Sequence, residues 1–144
     1  MEFPGQGPKS AGGYTISNVS IVDVEAGITN PGRTVTTEGE RIKSVIPYSA
    51  EAAFEKANLV DGHDLYLIPG LIDAHVHYFD MATFGLMMVA HGVLAVRDMG
   101  NMIEQILPMR DALNQGKTLG PEMIAVGSVL DGDPPIIPPI SVGC

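Results

Sequence analysis

At 144 residues and 45% hydrophobic, the chain is long enough to bury one ordinary core and too short for two comfortable ones. Seventeen acidic residues against eight basic ones leave a formal charge of −9, which repels phosphate backbones and anionic lipid surfaces and argues against nucleic acid as a partner. A single cysteine, Cys144, allows no intrachain disulfide and gives no sign of redox chemistry.

Residues 1–13, MEFPGQGPKSAGG, lack the basic start and apolar run of a secretory signal, and their Gly, Pro and Ser content reads as a flexible lead-in. Residues 14–24 are rich in β-branched side chains, and 33–37 with 41–46 repeat that character around the turn-like Glu38-Gly39-Glu40, which predicts three short antiparallel strands. An Ala- and Glu-rich stretch over 49–57 predicts two helical turns before strand character resumes at Leu59.

Two apolar runs, 65–68 and 71–76, flank Pro69-Gly70, and the second ends in histidines, as a buried strand opening onto a site would. A helix over 81–90, a strand over 93–97, a helix over 102–114 and a strand over 122–126 follow. This alternation predicts an α/β class with parallel strands and crossover helices, the opening of a barrel or a doubly wound sheet. The longest uncharged stretch, 81–96, is shorter than the roughly 18 to 20 apolar residues of a membrane span, so no transmembrane segment is predicted.

His75 and His77 stand two apart at the end of the 71–76 run, so alternation puts both imidazoles on one strand face, at the end where parallel barrels carry their sites. Two neutral imidazoles suit a borderline divalent ion such as zinc, but a stable site needs one or two further ligands and an open position for water. Asp73 shares that face and reads first as structural support. His91, beside Gly92, reads as a helix-end residue bonding a free carbonyl. Arg97 and Asp98 end the second strand of the α/β part and read as a local ion pair. The methionines at 81, 87, 88, 99, 102 and 109 read as core filling. DGDPPIIPPI, 131–140, reads as a rigid loop, its PxxP lacking the basic residue usual in polyproline ligands.

The nine residues PGLIDAHVH, 69–77, resemble the signature of the amidohydrolase superfamily. VSIVDVEAG, GERIKSV, GVLAVRDMG and EMIAVGSVLDGDPP resemble successive landmarks of its imidazolonepropionase- and prolidase-like branch, so the likeness runs from about residue 14 to about 135. The resemblance implies part of a β-sandwich over 14–66 and the first three strands of a (β/α)8 TIM barrel over 67–144. It also implies that His75 and His77 bind a divalent metal, most simply zinc, in a hydrolase acting on amide or dipeptide carbon–nitrogen bonds.

Family members take further ligands from a lysine or glutamate, two histidines and an aspartate on later strands, whereas this chain has no histidine after position 91. Seventy-eight residues from Leu67 onward compare with roughly 250 for a complete barrel. The expectation is therefore an N-terminal portion of such an enzyme. A non-catalytic truncated chain that needs a completing chain is the alternative, as is a small metal-binding domain in which His75 and His77 recruit Asp73 or Asp98. Dipeptides, cyclic amides and lactone-like compounds remain open as substrates, homo-oligomerisation remains open, and a cytoplasmic location is the default.

Overall fold

The computed structural model describes residues 13–51, 58–80, 82–138 and 140–143. The lead-in before Gly13 and most of the helix expected over 49–57 lie outside the described residues. The chain divides after Pro69 into two compact units.

The first unit is one five-stranded sheet. β1 (Thr15–Asp23) pairs antiparallel with β2 (Ile28–Glu38), and β2 with β3 (Arg41–Pro47), as the β-branched runs predicted. On its other edge β1 takes two short parallel partners, β4 (Leu59–Asp61) and then β5 (Tyr66–Leu67). Val19 and Val35 are its buried apolar side chains and Thr34 is buried beside them. Gly62 passes so close that a Cβ there would meet Val19 Cβ at 2.7 Å, which explains a glycine at that point.

The second unit alternates strand and helix. β6 (Leu71–Val76) leads to α1 (Phe84–Ala90), β7 (Val93–Asp98), α2 (Ile103–Asn114) and β8 (Glu122–Ala125). The strands pair in the order β6-β7-β8, all parallel, which is the arrangement the alternation predicted. The sheet is open: three strands, with no closed barrel formed by the described residues. Two short strands, β9 (Val129–Asp131) and β10 (Ser141–Gly143), pair parallel around the Pro-rich loop. The loop was foreseen, but its flanking strands were not, because three residues carry no readable period.

One face of the sheet packs on the helices. Val76, Val96 and Met123 from the strands meet Tyr78, Ile106 and Leu113, with Phe84, Met88, Leu107 and Met109 around them. The methionine expectation holds at Met88 and Met109 but not at Met87, which is half exposed. α2 is tied to β8 by Asn114, whose side chain donates to the Met123 carbonyl (2.9 Å) and accepts from the Met123 N–H (2.8 Å). The opposite sheet face is bare: Ile72 on β6 is 75% exposed and Ile124 on β8 is 66% exposed. No helix among the described residues is long and apolar enough to cross a membrane.

Ile106 is fully buried in this core, so Ile106→Ala is expected to cost about 2–5 kcal/mol in urea unfolding. Ile72→Ala, on the bare face, is expected to change it by less than about 0.5 kcal/mol. Equal costs would contradict this assignment of faces.

Candidate metal centre

β6 ends at Val76, so His75 is its penultimate residue and His77 the first beyond it. The β6–β7 register shifts between Asp73 and Val76, a local irregularity at the histidine pair. The two rings come together as expected, with centroids 5.6 Å apart and planes at 74°. His75 is exposed and His77 half-buried.

His77 is oriented by a hydrogen bond that the sequence alone did not reveal. Its Nδ1 lies 2.8 Å from the Gly100 carbonyl oxygen, in the turn after β7. A carbonyl only accepts, so Nδ1 carries the proton and, in the neutral ring, Nε2 is left with the lone pair. That is the tautomer in which a histidine ligates through Nε2 while its other nitrogen is anchored to a carbonyl. Among the described residues the His75 ring has only its contact with His77, and Asp73 Oδ1 accepts from the His75 backbone N–H (3.1 Å), in line with a supporting role.

Asp98 departs from the expected ion pair. Arg97 is exposed and Asp98 wholly buried, on opposite faces as adjacent strand residues should be, and among the described residues they make no salt bridge. Instead Asp98 accepts from the N–H of Tyr78 (2.8 Å), the N–H of Gly100 (3.1 Å) and the Asn101 side-chain amide (3.3 Å). Both of its oxygens are therefore engaged away from the histidines. No group of three His, Cys, Asp or Glu among the described residues is placed to hold an ion. Among the described residues, Asp73 and Asp98 are thus not gathered with the two histidines into such a group.

The remaining histidines stay outside the site. His91 ends α1, with Nδ1 2.8 Å from the Met87 carbonyl, the helix-end role foreseen for it. His63 pairs with Asp64 at 3.2 Å on the surface of the first unit. The donor set thus fits a divalent ion at two positions, a bare Nε2 on His77 and the exposed imidazole of His75, and offers no third ligand among the described residues.

Between His77 and α1, Tyr78 is buried with its hydroxyl unpartnered among the described residues, edge-on to Phe84 at 5.0 Å and close against Gly85. Burial, and secondarily the nearby Asp80 charge, raise its pKa. Asp80 accepts from the Thr83 hydroxyl and from the N–H groups of Ala82 and Thr83, both at 3.0 Å. These bonds, the Thr83 hydroxyl first, hold the Asp80 carboxyl below the usual carboxylate range.

No protein-family model matches the chain. Over 99 residues it is 29% identical to adenine deaminase 2 of Latilactobacillus sakei subsp. sakei (strain 23K), covering 66% of this chain and 16% of that protein. In structure it is similar to a Bifidobacterium longum protein assigned as a prolidase, with a TM-score of 0.77 and 26% identity over 93% of this chain and 34% of the other. It is also similar to phenylurea hydrolase B, with a TM-score of 0.64 and 28% identity over 83% of this chain and 32% of the other. The structural neighbours are amidohydrolase-family proteins, and this chain corresponds to the N-terminal part of their structures, spanning about a third of their length.

A carboxylate with a depressed folded-state pKa stabilises the fold above its unfolded value, and that stability is lost as pH falls through the folded value. Asp80→Ala is therefore expected to lower the urea midpoint at pH 7 and to match the parent in strong acid. A deficit that persists unchanged in strong acid would contradict the assigned role.

Proposed function

We propose that the chain is the N-terminal portion of a metal-dependent hydrolase of amide-type carbon–nitrogen bonds, with His75 and His77 as its first two metal ligands. The observation that carries this reading is the His77 Nδ1–Gly100 carbonyl bond, which leaves Nε2 bare beside His75 at the C-terminal end of a parallel strand. The likeness to amidohydrolase-family structures supports it, and so does the carbon–nitrogen chemistry named for a prolidase, a phenylurea hydrolase and an adenine deaminase. In this reading residues 14–66 form part of a β-sandwich and 67–144 open a (β/α)8 barrel.

Zinc is the ion that two neutral imidazoles suit best; once bound, such an ion supplies a Lewis acid and an activated water for attack on a carbonyl. This chain's own residues hold and orient: Gly100 fixes the His77 tautomer, and Asp73 braces the backbone at His75. Small amide or dipeptide compounds are the substrate class.

In nuclear magnetic resonance, Zn2+ added to the chain is expected to shift His77 Nε2 and the His75 ring while His77 Nδ1 stays protonated. The His75→Ala, His77→Ala double variant should lose the response. Unchanged rings at millimolar Zn2+ would overturn the ligand assignment.

A second reading, that this chain acts with a completing chain, is favoured by the bare sheet face carrying Ile72 and Ile124. Under it, Ile72→Ala weakens association in sedimentation although it leaves the monomer's stability alone. A parent chain that is monomeric at all concentrations would contradict this second reading.

A further inference from the structure

We propose that Asp98 is the positioning residue for His77, holding the turn after β7 so that the Gly100 carbonyl meets Nδ1 and Nε2 is left free. The value of that position rests on the reading of His77 as a metal ligand; the positioning itself can be tested without metal.

The geometry is a clamp on both ends of one hydrogen bond. Tyr78 follows the donor, His77, and its N–H is held by Asp98 Oδ2 at 2.8 Å. Gly100 supplies the acceptor, and its own N–H is held by Asp98 Oδ1 at 3.1 Å. Asn101 braces the same pair, donating to Asp98 Oδ2 at 3.3 Å and to the Tyr78 carbonyl at 2.8 Å. Around them, Met99 N–H donates to the Val76 carbonyl (2.9 Å) and Asn101 N–H to the Gly127 carbonyl (3.0 Å), fastening the turn to β6 and to the segment after β8. Gly100 has a φ of 153°, and a Cβ on it would meet Val129 Cγ2 at 2.3 Å, so a side chain at this turn would displace the carbonyl that faces His77.

The chemistry demands a carboxylate there. Both oxygens of Asp98 receive N–H donors, and the residue is wholly buried. An amide of the same shape offers one accepting oxygen and would turn its NH2 toward another donor, breaking one arm of the clamp. His77 would then be released toward the Nε2–H tautomer that free imidazole prefers, in which no lone pair faces outward from Nε2.

The test is the tautomer of each histidine ring, read from long-range 15N–1H correlations of the metal-free full chain at a pH where the rings are neutral. In the parent, His77 is expected as Nδ1–H. In Asp98→Asn it is expected to gain a substantial Nε2–H population. His91, anchored to the Met87 carbonyl in the same unit, should stay Nδ1–H throughout and so reports that the unit is folded. Should Asp98→Asn also release His91, Asn101→Ala decides: a partial shift of His77 alone supports the clamp, and none overturns it. A His77 that keeps Nδ1–H in a folded Asp98→Asn chain overturns it as well.

Zn2+ then separates the two ideas. Asp98→Asn is expected to weaken binding roughly 10- to 100-fold, and unchanged affinity would overturn the positioning role. A parent chain with the expected tautomer whose His77 ignores Zn2+ would instead overturn the ligand assignment, and the tautomer shift in Asp98→Asn would still uphold the clamp.

Discussion

The arrangement around the histidines depends on one buried carboxylate. Asp98 lies at the end of β7 with no cation beside it among the described residues, and burying a charge that way is costly unless hydrogen bonds replace its water. Three N–H donors do so, and each comes from a residue next to, or part of, the His77–Gly100 contact. Without them the Met99–Val76 backbone bond would still join the ends of β6 and β7, but the His77–Gly100 contact would lose the carboxylate that holds both of its sides.

This constraint also explains why the site sits where it does. Side chains at the C-terminal ends of parallel strands converge there, while the helices cover only the other face of the sheet. The core of Val96, Met123 and Ile106 makes the floor, and the turns above it are held by the Asp98 and Asn101 side chains together with backbone bonds. In the architecture proposed for the longer fold, further strands would add at the free edge of β8, and the face carrying Ile72 and Ile124 would turn to the interior.

Much of this was legible in the residues. β6 occupies the 71–76 run that the sequence outlined, β7 and α2 differ from their expected bounds by one residue, and the parallel order follows from the alternation of patterns. α1 begins at Phe84 rather than 81, because Asp80 and Thr83 spend their hydrogen bonds on the turn before it. The meeting of the His75 and His77 rings follows from their spacing on a strand, while their reading as ligands rests on the PGLIDAHVH resemblance, and the end role of His91 follows from its place before a glycine. The role of Gly100 was not, since it depends on which carbonyl lies opposite His77 across two strands with shifted register. Asp98 has the structural role expected of it, but its partners are N–H donors rather than the adjacent arginine, because strand alternation turns the two side chains to opposite faces. The VRDMGN segment did carry a signal: an acid two residues before a glycine, at a strand end, is a pattern for a carboxylate that holds its own turn.

The central claim is that the two imidazoles act together on one ion. X-ray absorption at the zinc edge of the loaded chain tests this most directly, because imidazole rings scatter in a way that counts them. The account predicts two imidazoles per zinc, with lighter oxygen donors filling the remaining positions, and the loss of one imidazole in His77→Ala. A zinc bound by one imidazole or none in the parent chain would contradict it.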